Sequence, residues 1–406
     1  MKAAFALIWI NFKSFPQRLT SSLISILSIA CVAAVILGVL TLTQGMVKTM
    51  QRSGLDNTLL VMRAGAVSEL QSVMFPIEVK LLANNNKIKR DKNGNSIYAA
   101  EMFVTTEYKK TSTDKQLKLT HLNKSISLAL RGISHKTYNF RPNFKLVSGQ
   151  KFTSGLREIL VGRALARKIP ELKVGKTITL GDTKWLISGM FSDNNSVFES
   201  ELWADLGILQ SDYNRGNTVQ SVRLALKTTT NIDKIVAQLN KQWQDDPRLN
   251  VRIILEKAFF AEQGEKLNSL ITLIGFPVAA IMALGAAIAA LNTMYAAIAS
   301  RSKEIATHKA IGFAPIAIAS AIISEALFIA FLGGVLGVLP LYILFDDWTA
   351  STQNASNLSQ MMFNFNISTT LIIQTMLLAI GIGLIGGLLP AIKAMKQPVT
   401  LALRDN

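Results

Sequence analysis

The 406-residue chain has one cysteine, Cys31, and only three histidines, His121, His135 and His308. A single thiol excludes a disulfide framework, and histidines this far apart in sequence do not suggest a metal centre. Acid is scarce as well: 26 Asp and Glu stand against 43 Lys and Arg, a formal charge of +17. No G-x-x-x-x-G-K-[ST] occurs, so the sequence carries no nucleotide-binding P-loop. No Ser/His/Asp or Cys/His arrangement offers a nucleophile with its base. The lone G-x-G-x-x-G, Gly381 to Gly386, lies inside an apolar run with no strand before it, and is not read as a dinucleotide site. Glu199 and Glu201 are the nearest approach to a catalytic pair, and are read as part of a loop joining two elements.

What the chain has in quantity is uncharged apolar sequence. Leu23 to Leu42 contains no charge, and twenty helical residues cover about 30 Å, the thickness of a bilayer's hydrocarbon core. A signal peptide has a shorter apolar core. Ser28 to Cys31 looks faintly like a lipoprotein cleavage box, but the apolar run continues to Leu42. A retained span is therefore expected at 23–45. The second run, 267–299, is too long for the hydrocarbon core alone, and the polar residues Glu256 to Lys266 before it suit a stalk leading into the membrane. Pro277 is expected to kink it. The third, 313–345, is interrupted only by Glu325, and the fourth covers 367–392.

Flanking charge orients the spans. Lys2, Lys13 and Arg18 precede the first, Arg301, Lys303 and Lys309 separate the second and third, and Lys393, Lys396 and Arg404 follow the fourth. The short loop 346–366 has no cation and carries Asp346 and Asp347. By the positive-inside rule both termini and the segment 300–312 face the cytoplasm, and the large insert 46–266 and the loop 346–366 face away from it. Within 1–22, Phe5, Ile8, Trp9, Phe12 and Leu19 make one stripe, expected as a helix lying in the cytoplasmic interface. The segment 393–406 is the cytoplasmic tail.

The insert holds 34 basic against 21 acidic residues, so most of the positive charge lies outside the cytoplasm. This removes intracellular nucleic acid as a partner and leaves a solvated basic surface near anionic lipid. Its pattern is mixed α/β: strands at Leu59–Met62 and Ile97–Tyr108, a helix at Ser68–Leu82, and a β-α-β unit at Ser221–Leu226, Ile232–Trp243 and Asn250–Leu255. Between them, about 131–219 is punctuated by glycines among short β-prone runs, with a short helix expected at Leu156–Arg167. The fold class expected is an α-helical membrane protein with four transmembrane helices and a mixed α/β extracytoplasmic domain, an α/β base carrying a β-rich insertion.

Three features of the spans and their links stand out. Glu325 lies within an apolar span, where a carboxylate is costly without a partner; Asn292, Tyr295 and Gln374 are the partners expected by depth. Gly333 with Gly337, and Gly383 with Gly387, have the G-x-x-x-G spacing that lets membrane helices approach closely. The cytoplasmic segment 300–312 is charged and helix-prone, and Ile305, Ala306 and Ile311 need a partner to bury them.

Arg301-Ser-Lys303-Glu304-Ile305, followed by Lys309-Ala-Ile311-Gly312, resembles the R-x-x-E-I-x-x-x-(K/R)-A-(I/L)-G signature of FtsX-like permeases, the membrane subunits of MacB-type ABC transporters. Ser324-Glu325-Ala326 leading to Gly333 and Gly337 is similar, as are Pro390 to Ala394 and Pro398 to Arg404. The resemblance covers all four spans and the insert after the first, whose external domain it makes porter-like. It implies a non-catalytic permease that works as a homodimer, with a separate cytoplasmic ABC ATPase holding the ATP and magnesium and no cofactor on this chain. It further implies an inner-membrane location and coupling of ATP hydrolysis to the external domain by mechanotransmission. Export would then use a periplasmic adaptor, a membrane-fusion protein, and an outer-membrane channel. Lipoprotein release, or FtsX-like signalling to a cell-wall hydrolase, are the alternatives within the family. Arg301, Lys303, Glu304, Ile305, His308, Lys309, Ile311 and Gly312 would form the ATPase-coupling segment, with docking energy drawn chiefly from Ile305 and Ile311.

Overall fold

A computed structural model describes residues 19–109, 125–228, 230–346, 348–353 and 360–398. The interfacial helix expected at the N-terminus, with Lys2, Lys13 and Arg18, falls largely outside the described residues, as do His121, Asp347 and the tail from 399 onward. In chain order the elements are α1 (Leu19–Gln51), β1 (Thr58–Arg63), α2 (Pro76–Ala83), β2 (Tyr98–Lys109), β3 (Ser125–Ile133), β4 (Phe144–Gly149), β5 (Glu158–Gly162), α3 (Arg163–Lys168), β6 (Thr177–Leu180) and β7 (Thr183–Asp193). There follow β8 (Glu201–Asp205), α4 (Leu206–Asp212), β9 (Ser221–Ala225), α5 (Ile232–Gln244), β10 (Val251–Leu255), α6 (Glu256–Ser300), α7 (Ser302–Ala310), α8 (Pro315–Phe345), β11 (Thr349–Gln353), β12 (Gln360–Asn364) and α9 (Thr369–Lys396). The chain divides into two compact units: a helical one of residues 1–44, 268–348 and 365–406, and an α/β one of residues 45–267 and 349–364.

In the helical unit, α1, α6, α8 and α9 are long and apolar enough to cross a membrane. α6 continues as helix through Pro277. Ile29, Ala287, Ala330 and Ala379, one from each of the four helices, meet in a single cluster. Contact is close because the residues are small. A Cβ on Gly333 would stand 2.9 Å from the Ile29 Cβ of α1, and one on Gly337 2.9 Å from the Ala33 Cβ. Gly383 and Gly387 of α9 lie against Ala330 and Ala326 of α8, and Gly386 against Ala290 of α6. Lipid offers no hydrophobic drive for helix association, so backbone approach of this kind supplies it instead. Large apolar side chains such as Leu273, Ile274, Phe276 and Ile281 point outward.

The α/β unit is built on a ten-stranded sheet in the order β10-β1-β9-β2-β3-β8-β5-β7-β4, with β6 pairing β2 and β7. Strand β2 belongs to both halves: Tyr98–Glu101 pair with β9, and Met102–Lys109 with β3. Each half has its own apolar core. One gathers Leu59, Val61, Val222 and Leu224 beneath Leu239 and Trp243 of α5. The other gathers Val104, Leu130, Val161, Trp185, Ile187 and Leu202.

Three local expectations change. Ser68–Leu82 is not one helix but a 3-10 turn at Glu69–Gln71 followed by α2, which starts at Pro76 because proline suits the first helical position. The Glu78 carboxylate accepts the Phe75 N–H at 2.7 Å and caps that start. Leu156–Arg167 splits into β5 and α3: Glu158–Gly162 is a short apolar run that could serve either element, and it pairs with β7 and β8. The segment 346–366, expected as a short loop, carries the β11–β12 hairpin, whose Met362 joins the second core.

Candidate functional site

α7 is fixed from both sides of its sequence. Its start follows α6 almost without pause, since α6 ends at Ser300 and α7 begins at Ser302. Its end is abrupt. Gly312 adopts a φ of +98°, its N–H donates to the Lys309 carbonyl, and the Phe313 N–H donates to the His308 carbonyl, both at 3.0 Å. This is the Schellman arrangement, which favours glycine at the left-handed position. The His308 and Phe313 rings complete it edge to face at 5.6 Å. Pro315 then opens α8.

Besides His308 and Gly312, six residues of the 301–312 signature segment separate into those turned inward and those exposed. Ile305 is buried with Ala306, packed in a cluster with Ile298 of α6, Ile318 and Ile322 of α8, and Ala391 and Ala394 of α9. Lys303 and Glu304 are exposed with Thr307, and Ile311 is 70% exposed. Arg301 reaches inward: its Nη1 donates to the Glu325 carboxylate at 3.1 Å, while its Nε donates to Glu304 at 3.2 Å. Lys309 also turns inward, donating to the carbonyls of Ala394, Met395 and Gln397 at 2.7–3.0 Å. Partial burial lowers its ammonium from the ordinary lysine range.

Glu325 therefore faces a cation. The partner differs in kind from the polar side chains expected by depth: a long arginine stem carries the guanidinium to the carboxylate from the end of α6. Ile305, expected to give docking energy, is instead buried against α8 and α9.

The α/β unit holds a second charged constellation, which its sequence did not reveal. Strands β9, β2, β3 and β8 are adjacent, and alternate residues on them share a face. On one face Val222, Val104, Leu130 and Leu202 enter the apolar cores. The other face carries Arg223, Glu101, Arg131 and Glu201. Arg131 meets Glu201 with two hydrogen bonds at 2.6 and 2.7 Å, and also Glu69 and Glu101 at 2.9–3.0 Å. Arg223 bonds Glu101 at 2.5 Å and Glu256 at 2.7 Å. Arg141 reaches Glu256 at 3.2 Å and lies 3.8 Å from the Phe198 ring centroid.

All seven charged side chains are buried. Burial pushes the Glu69 carboxyl up, but Arg131 and Arg223 outweigh it and hold the group well below the usual carboxylate range. Burial likewise pulls the Arg131 and Arg223 guanidiniums down, and the surrounding carboxylates reverse this and raise both. The mutual hydrogen bonds tie β9, β2, β3 and β8 to Glu69 and to the start of α6, so the cluster joins segments far apart in sequence. Glu199 of the suspected pair is occupied otherwise, accepting the Asp193 and Asn195 N–H groups at 2.7 and 2.8 Å. A recognisable signal was present: Arg223 stands inside an apolar strand with no room for a solvent face. Among the described residues no group of His, Cys, Asp and Glu could hold a metal ion.

A family model described as MacB-like periplasmic core domain matches residues 22–242, more than half of the chain, and one described as FtsX-like permease C-terminal matches residues 277–399. An ABC transporter permease of Methanocaldococcus jannaschii, described as uncharacterized, is 22% identical over 98% of both chains. The macrolide export ATP-binding/permease protein MacB of Rhodopseudomonas palustris is 25% identical over 64% of this chain, which spans 41% of that protein. The crystal structure of the periplasmic region of MacB from Actinobacillus actinomycetemcomitans aligns with 54% of this chain and 97% of its own, at 14% identity and a TM-score of 0.37.

Proposed function

From the premise that this chain belongs to the FtsX-like ABC transporter permeases with a MacB-like periplasmic core domain, we propose that it is a membrane subunit driven by a separate cytoplasmic ATPase, which docks on α7 and binds ATP and magnesium itself. The observation that carries this is the division of α7. Its inner side is spent on α8 and α9, and its outer side presents Lys303, Glu304, Thr307 and Ile311 for a partner. A charged surface with one exposed apolar anchor is what a docking protein can desolvate at its centre and steer toward at its rim.

Movement imposed on α7 needs a contiguous path outward. α6 offers one, because it runs as one helix from Glu256, inside the ionic cluster, to Ser300, next to Arg301. The subunit works as a homodimer in the cytoplasmic membrane, with both termini and α7 on the cytoplasmic side. The union of β11 and β12 with the insert in one compact unit supports only the assignment of the cation-free loop and the insert to a common side. The movement serves export by mechanotransmission, with a periplasmic adaptor and an outer-membrane channel passing the substrate onward.

The test is purification of the full chain from its native membranes with identification of what accompanies it. Glu304→Lys with Ile311→Glu is expected to strip away the ATPase and leave membrane insertion intact; undiminished ATPase recovery counts against the docking face. An accompanying adaptor supports export, whereas a cell-wall hydrolase in its place would replace export with signalling.

A further inference from the structure

We propose that Arg301, Glu325 and Lys309 form an intramolecular clasp that makes α7 one rigid body with two different membrane helices, so that these charges position the docking helix and do not themselves contact the ATPase. The consequence for coupling rests on the reading of α7 given above; the clasp itself does not.

The chain's charges mark the two ends of α7. At its start, Arg301 spans to Glu325 of α8, with side chains 12% and 7% exposed. The surrounding wall is mostly apolar, formed by Met294, Ile298, Ile305, Ile318 and Ile322, with His308 as its one other polar side chain. A pair in such surroundings attracts far more strongly than one in water, and either charge left without the other is costly there. At the far end, the three N–H bonds of the Lys309 ammonium go to Ala394, Met395 and Gln397, at the C-terminus of α9. Those carbonyls lack helical partners and carry the negative end of the helix dipole, so a cation there both bonds and neutralises them. Between the two ends, Ile305 packs in one cluster with Ile318 and Ile322 of α8 and with Ala391 and Ala394 of α9.

The arrangement gives each part a role. Arg301 carries a push on α7 to α8, Lys309 carries the same push to α9, and Ile305 keeps the helix from rolling between them. It also accounts for a charge inside a span: Glu325 is the receiving end of the clasp. Arg301, Glu325 and Lys309 are thus positioning residues, and the surface left to the partner is Lys303, Glu304, Thr307 and Ile311.

The experiment is hydrogen–deuterium exchange on the full chain in lipid nanodiscs, without any ATPase. Arg301→Gln and Glu325→Gln should each raise exchange across 302–310 on the order of tenfold, and the double variant should be no worse than either single, as expected of directly coupled residues. Lys309→Met should raise exchange at 308–312 and at 394–397 alone, with Lys309→Arg close to the parent, because an arginine can still donate to the carbonyls. The Lys309 variants sit outside the spans, so they remain informative if a Glu325 variant does not fold. Unchanged exchange in α7, or additive effects of the Arg301 and Glu325 changes, overturns the clasp. Loss of ATPase recovery in Ile311→Glu with normal exchange would leave the clasp standing and concern the docking face alone.

Discussion

The two units of this protein solve the problem of an interior in opposite ways. The α/β unit buries seven charged side chains behind its sheet, three arginines among four glutamates. The helical unit does most of its packing with glycine and alanine, and keeps its buried charge to the edge where α7 joins α8. The difference follows from the surroundings. A domain in water gains stability from every apolar surface it hides, and can carry a costly ionic core that fixes how its parts meet. Helices in lipid gain nothing from hiding apolar surface, and must hold by contact and by a few strong polar bonds.

The comparison can be broken most severely at Arg131. Its replacement by methionine leaves Glu201 without its guanidinium partner and Glu69 and Glu101 with Arg223, and should destabilise the α/β unit by about 3–5 kcal/mol. With Trp203 kept as the sole tryptophan of the five, its fluorescence reports the change during denaturation, since its Nε1 donates to Glu201 at 3.0 Å. A melting curve like the parent's would show that the cluster does not stabilise the unit. The helical unit should break more gently: Gly383→Leu forces a side chain against Ala330 and should cost about 1–3 kcal/mol, measured as lower thermal resistance in detergent with the Trp203 signal unmoved. Loss of both signals together would mean that the units do not unfold separately. Acid gives the smallest effect and the finest distinction. The Glu69 carboxyl lies below its ordinary value of 4.5 in the folded protein, so its stabilisation is complete above that pH and is lost as pH falls toward the folded value. The Trp203 melting temperature should therefore drop below about pH 4.5 and stay level just above it; an Arg131→Met variant should have lost most of that acid sensitivity.

Sequence alone reveals the helical unit better than the α/β unit, for a physical reason. A span is announced by its own uninterrupted apolar residues, and the four expected spans overlap α1, α6, α8 and α9, the last two beginning two residues before their helices. Glu325 and the glycines could be singled out because each is conspicuous against that background. The partner of Glu325 could not, since it depends on how far a side chain bends back from the next element. In the α/β unit the meaning of a residue comes from strands far away in sequence. Arg131 lies 62 residues from Glu69 and 70 from Glu201, and only the sheet order brings them together. Short runs such as Glu158–Gly162 carry no marker that separates strand from helix until β7 and β8 flank them. α5 is the contrary case, since Ile235, Leu239 and Trp243 repeat at helical spacing and all face the sheet.

The β11–β12 hairpin has a consequence for the order in which the protein can be made. Met362 is 1% exposed within a core that also holds Leu128, Val161 and Trp185, and its N–H and carbonyl both bond the Ser200 hydroxyl. A chain emerging from its N-terminus delivers the insert first, yet the insert's core lacks this residue until three spans have been produced. The domain outside the membrane is thus finished last, and its final strand arrives only from a chain whose third helix has already crossed. The outer domain's core therefore depends on residues that the chain supplies only after its third long apolar helix.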